Sequence, residues 1–152
     1  TEALGVMRVE KGHVAGNELN GTSTALNMGL GKMVSRKKDS IGMVLSQREG
    51  MTKDDGLRLV GVKPVNPADA LNAGSHFVRK GAEPKIENDD GWLTSLVYSP
   101  HLGHSIGLGY LKGGDTRKGE RLRSVNLLAK TDVEVEIVSP HFFDPEGERL
   151  RG

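Results

Sequence analysis

The chain has 152 residues, enough for one compact domain with a buried core, and its 21 basic and 20 acidic side chains leave a net charge of +1. That balance supplies no global field to attract nucleic acid or an anionic membrane. With no Cys, disulfide frameworks and thiolate metal sites are excluded, and a reducing compartment fits. The longest apolar runs are a few residues, so no membrane-spanning helix is expected. The start shows no basic n-region followed by an apolar h-region, so no signal peptide is expected. It also lacks Met and runs directly into patterned sequence, as a fragment or a processed product would.

In chain order, residues 2–11 fit two periods: Leu4 and Met7 suit a helical face, Leu4 and Val6 a strand. Residues 12–24 form a polar, Gly-bearing loop. Residues 29–34 read as a short strand, with Leu30, Lys32 and Val34 alternating against Gly31 and Met33. Asp39 or Ser40 can cap a short helix in which Ile41, Val44 and Leu45 fall at i, i+3 and i+4, with Gly50 as its stop. From Gly56 the period becomes two. "GLRLVGVKPV", "WLTSLVYS", "SIGLGYL" and "DVEVEIV" read as strands, separated by turn signals such as "DDG" and "KGGD". "NPADALNAGSH" reads as a turn-rich connection with one helical turn. In the last strand Val133, Val135 and Ile137 share a face expected to be buried, with Asp132, Glu134 and Glu136 on the exposed one. The fold class expected is α+β and β-rich: a short helix-containing N-terminal piece, residues 1–52, then an antiparallel sheet or barrel, residues 53–152.

Few constellations carry chemistry. His101 and His104 in "SPHLGHS" are three apart, but Pro100 and Gly103 favour a turn, and no third ligand stands at a recognised spacing. "GLGYLKGG" contains neither GxGxxG nor GxxxxGK[ST]. Its alternation of Ile106, Leu108 and Tyr110 with Gly107 and Gly109 reads as a strand whose glycine face admits a close neighbour. No GxSxG nucleophile motif occurs, and the six aromatic residues do not interleave with basic ones. Arg36-Lys37-Lys38 and the region from Arg117 to Arg123 are local basic clusters, and a solvated turn accounts for each. Flavin, NAD, zinc or other metal, nucleic acid and membrane are therefore not expected to bind this chain. Glu10, between Val9 and Lys11, reads alone as an ordinary surface acid.

The long ordered stretch "RVEKGHVAGNELNGTSTALNMGLGKMVSRKKDSIG", with "GWLTSLVYSPHLGHSIGLGYL" and "SPHFFDPEGERLRG", resembles the C-terminal part of the alpha subunit of heterotetrameric sarcosine oxidase. That part is similar to the aminomethyltransferase (T-protein) of the glycine cleavage system. "EKGHVAG" and "KKDSIG" point to the oxidase subunit; T-protein has a stretch like "RLEAGxxLYG", with a Tyr, where this chain has His13-Val14-Ala15-Gly16. The resemblance implies a tetrahydrofolate site in a cytoplasmic enzyme. There the one-carbon unit of oxidised sarcosine is captured as 5,10-methylenetetrahydrofolate. It places the folate-binding carboxylate on Glu10, and Lys38 is the choice within the basic turn for folate's anionic tail. The family's catalytic Asp lies in the preceding half of the unit, so no catalytic residue is expected here. Implied partners are the other oxidase subunits and the N-terminal part of the same subunit. Two alternatives stand beside this reading. One is a glycine cleavage aminomethyltransferase or a dimethylglycine dehydrogenase relative. The other is a non-catalytic subunit-docking module.

Overall fold

The computed structural model describes residues 2–35 and 37–152. Residues 2–11 resolve their two periods in favour of a helix, α1 (Glu2–Lys11), with Val9 fully buried. The polar loop follows in turns. The strand expected over 29–34 is instead a 3-10 turn, Gly31–Met33. The Met33 N–H bonds to the Leu30 carbonyl, and Met33 is 80% exposed. A lone extended segment has no ladder partner here, so local hydrogen bonds win. The expected helix divides into two single turns, α2 (Met43–Ser46) and α3 (Glu49–Thr52). Gly42, not Asp39 or Ser40, occupies the cap position of α2, and Gly50 lies inside α3 rather than ending it. Ile41, Val44 and Leu45 are exposed, so their helical spacing meets no core within this chain.

The remainder closes into a six-stranded antiparallel barrel. Its strands are β1 (Leu57–Pro64), β2 (His76–Arg79), β3 (Asp89–Ser99), β4 (His104–Lys112), β5 (Arg121–Asn126) and β6 (Thr131–Val138), in the order β1-β4-β3-β2-β5-β6. Closure runs through β1, whose residues 57–62 pair with β4 and 61–64 with β6. A single-turn helix, α4 (Glu148–Arg151), ends the chain. Closing the sheet leaves no unpaired edge.

All four strands read from alternation are present. β2 and β5 are additions: β2 is too short to show a period, and β5 is hidden in the basic region. There Leu122 is buried while Arg121 is exposed, so Arg121 and Arg123 belong to a strand's outer face, while Arg117 and Lys118 lie in the turn before it. The connection over 65–75 makes turns but no helical turn.

The barrel interior is filled by Val60, Val62, Phe77, Leu93, Leu111, Leu122, Val135 and Ile137. On β6, Val135 and Ile137 are fully buried and Val133 is half-buried against this core. Asp132 is exposed, while Glu134 and Glu136 are half-buried in ion pairs with Lys80 and Lys63. The glycine face of β4 serves packing. A Cβ on Gly107 would meet Leu93 Cδ1 at 2.6 Å, and one on Gly109 the Phe77 ring at 2.9 Å. A second apolar cluster joins Val9 of α1 to Ile106 and Leu108, so α1 lies on the outside of the barrel across β3 and β4.

Candidate functional site

Glu10 sits in the last turn of α1, beside Lys11 and after Arg8. The helix dipole favours cations there and disfavours an acid by about 0.3–1 kcal/mol. Burial of Val9 fixes the phase of the helix, and Gly12, at φ +76°, stops it. A side chain at Gly12 would also strike Pro140 and His141. The C-terminal segment packs at this point. Phe142 and Phe143 donate their backbone N–H groups to the Glu10 carbonyl at 2.9 and 3.0 Å. Lys11 reaches the Asp144 carboxylate at 3.3 Å, and the His141 ring bonds the Lys11 carbonyl.

The Glu10 side chain is half-buried and turns toward the end of β3. The hydroxyl of fully buried Ser99 donates to Glu10 Oε1 at 2.5 Å, and the Leu102 N–H donates to the same hydroxyl at 3.0 Å. No other donor among the described residues is bonded to this carboxylate. A carboxylate offers about four lone-pair sites, so acceptor capacity remains on both oxygens.

A second acid carries more of the local architecture, and nothing in the sequence pointed to it. Glu18 is fully buried. Its carboxylate accepts from the Ala15 N–H at 2.8 Å, Thr94 Oγ1 at 2.6 Å, Ser95 Oγ at 2.5 Å and Arg8 Nη1 at 3.3 Å. Arg8 Nη2 also donates to Ser95 Oγ at 2.8 Å. Thr94 and Ser95 are consecutive and would ordinarily point to opposite faces. The pairing of β3 with β4 shifts register between Leu93 and Ser95, and that bulge lets both hydroxyls face one carboxylate. Tyr110 donates its phenol to the Glu18 carbonyl at 2.8 Å. Burial, joined by the Glu18 charge and opposed by a Ser23 hydrogen bond, raises this phenol above its ordinary value and keeps it a donor. The network ties the loop after α1 to the barrel and holds the helix that carries Glu10.

Lys38 is exposed on a bend, and no hydrogen bond or ion pair among the described residues joins it to Glu10. Arg36 lies outside the described residues. The second basic region is largely paired: Arg117 with Asp90 and Glu120, Arg123 with Asp132. His101 and His104 flank a turn as expected. His101 packs edge-on against Phe143, while His104 Nδ1 bonds the Ser105 carbonyl. Among the described residues no three His, Asp or Glu side chains gather as a metal-binding group, and no helix is long and apolar enough to cross a membrane. A cavity of about 290 Å³ opens beside Trp92 and Tyr110, and another of about 390 Å³ beside Leu127 and Leu128. Glu10 lines neither, nor a third of about 320 Å³ beside Leu26 and Arg58.

Three sets of known proteins resemble the chain. It is 45% identical over 150 residues to a sarcosine oxidase subunit alpha of Rhizobium meliloti (strain 1021), a match covering 98% of this chain and 15% of that protein. It is 37% identical over 158 residues to a sarcosine oxidase subunit alpha of Corynebacterium sp. (strain P-1), covering 100% of this chain and 16% of the relative. The chain thus spans roughly one-sixth of the length of these curated relatives. Its fold matches a crystal structure of glycine cleavage system aminomethyltransferase T from Bartonella henselae, with a TM-score of 0.70 and 18% identity, over 94% of this chain and 38% of that one. Residues 58–144, which hold all six strands but the first residue of β1, match the glycine cleavage T-protein C-terminal barrel domain, and the chain belongs to that family.

Proposed function

We propose that this chain is the barrel-bearing part of a sarcosine oxidase alpha subunit and forms one wall of its tetrahydrofolate site. Glu10 carries the reading: a half-buried acid on the unfavourable end of a helix, held by one hydroxyl, with acceptor sites to spare. A pterin presents an N–H and an exocyclic amine side by side, and a carboxylate accepts both at once, as it does from Arg. The fit is therefore one of donor set to acceptor set. When bound, tetrahydrofolate supplies the acceptor for the one-carbon unit and carries it away as 5,10-methylenetetrahydrofolate. This chain's share is to bind and orient the pterin, with exposed Lys38 available to the anionic tail. Its partners in this reading are the oxidase's other subunits and the preceding part of the same subunit, in the cytoplasm. Residues 1–52 belong with that preceding folate-binding part, and residues 53–152 form the C-terminal barrel domain. The exposed side chains of Met33, Ile41 and Val44 fit coverage by it.

Glu10→Gln in the full-length subunit tests the reading. Gln keeps the size but replaces one acceptor oxygen with an amine that confronts a pterin donor. Hydrogen bonds to charged groups contribute about 1.5–3 kcal/mol. Calorimetric titration should show tetrahydrofolate affinity falling roughly ten- to hundredfold. Unchanged affinity would return Glu10 to the surface acids.

A further inference from the structure

We propose that Ser99 is the positioning residue of this carboxylate, fixing which way Glu10 presents its acceptor sites to the pterin; the proposal rests on the folate reading of Glu10. A serine hydroxyl has one proton and two lone pairs, and ordinarily rotates to suit its neighbours. Here rotation is settled. The Leu102 N–H can only donate, so it takes a lone pair of Ser99 Oγ at 3.0 Å. The hydroxyl proton then goes to Glu10 Oε1 at 2.5 Å. Ser99 is itself rigid: it is fully buried, ends β3, and accepts the Gly103 N–H on its carbonyl at 2.8 Å. The Pro100–Gly103 turn, which carries His101 and leads into His104 of β4, thus has a use beyond connection. It delivers the Leu102 N–H that orients the serine.

The other end of Glu10 is held as well. Its carbonyl takes two N–H groups from the C-terminal segment, and Val9 beside it is buried in the cluster that includes Leu102. With backbone and one carboxylate oxygen both fixed, the remaining lone pairs point in a set direction before any ligand arrives. Rigid supporting groups of this kind raise affinity by removing the ordering cost from the binding step.

The test uses the full-length subunit assembled with its partners, titrated with tetrahydrofolate and with a tetrahydropterin lacking the exocyclic amine. Ser99→Ala should weaken tetrahydrofolate about three- to tenfold, the range for one neutral donor lost. It should weaken the amine-free pterin less, so discrimination between the two falls. In a Glu10→Ala background, where no carboxylate remains to be oriented, Ser99→Ala should cost nothing further. Ser99→Thr and Ser99→Val keep one shape and differ only in the hydroxyl, and the Thr variant should bind tighter by a similar factor. Equal loss for both pterins, equal loss in the Glu10→Ala background, or equal affinity of the Thr and Val variants would overturn the proposal while leaving the folate reading in place. An unaltered affinity in Glu10→Gln alone would remove both.

Discussion

Glu18 gives the sharpest test of how this fold is held. Replacing it with Ala removes one acceptor group that serves four donors, from Arg8, Ala15, Thr94 and Ser95. Glu18 is fully buried, while the Arg8 side chain keeps 24% of its exposure. Breaking a buried pair by removing one partner costs about 3–5 kcal/mol, because the remaining charge is left uncompensated. Arg8 can recover part of its hydration, which argues for the low end, about 3 kcal/mol. For a chain of this size that corresponds to a fall in Tm of about 6–12 °C. Urea unfolding followed by circular dichroism reads the change as a shifted midpoint at constant slope. Replacing Arg8 by Met together with Glu18 by Leu should cost less than Glu18→Ala alone, since no unpaired cation remains. A Glu18→Ala variant within about 0.5 kcal/mol of the parent would mean that the network contributes no more than a surface contact, and would refute this reasoning.

Phe77→Ala should destabilise by about 3–5 kcal/mol in the same assay, because its ring fills the barrel opposite Gly109 and no other group can replace it. Stability should fall as pH drops below about 4.5. At Asp90, burial raises the carboxyl, but hydrogen bonds and charge from Arg79 and Arg117 outweigh it and hold it below its ordinary 3.8. Arg117 holds Glu120 below its ordinary 4.5, and Arg123 holds Asp132 below 3.8. Lowered folded-state values mean that these groups stabilise above their ordinary range, and that the contribution is lost as pH falls through the folded values. Asp90→Asn should make the acid limb shallower; an unchanged limb in urea midpoints across pH 2–6 would count against these pairs.

Alternation exposed the parts of the fold whose period two runs long enough to register. β6 is clear because Val135 and Ile137 face one way over eight residues, and β4 because glycine alternates with bulky apolar residues. β2 has four residues, and β5 has its inward Leu122 and Ser124 among arginines, so neither stands out from its surroundings. The helical spacing of Ile41, Val44 and Leu45 misled because a face needs a partner to bury it. The site divides in the same way. Glu10 came from the family resemblance and not from its chemistry. Ser99 lies 89 residues away along the chain, and no local pattern links the two. Glu18 looked like one polar residue in a polar loop, since the bulge at Thr94 that receives it is a register shift invisible to side-chain periodicity.

The contrast between the two acids of this region supports the binding role proposed for Glu10 and a structural role for Glu18. They are successive acids in the chain, and both meet hydroxyls of β3. Glu18 is sealed from solvent with a donor for each lone-pair site that a carboxylate offers, as a buried charge must be if it is not to cost more than it gives. Glu10 sits at the end of a helix where its charge is unwelcome, half-buried, with one donor where Glu18 has four. A purely structural acid in that position would be better replaced by Gln, which keeps the hydrogen bond to Ser99 without opposing the dipole. Three segments nevertheless converge to fix it: the β3 terminus through Ser99, the C-terminal segment through Phe142 and Phe143, and the loop after α1 through Arg8 and Glu18. Rigidity spent on an under-satisfied charge is what a preorganised acceptor requires, and in the proposed folate site the missing donors would come from the pterin.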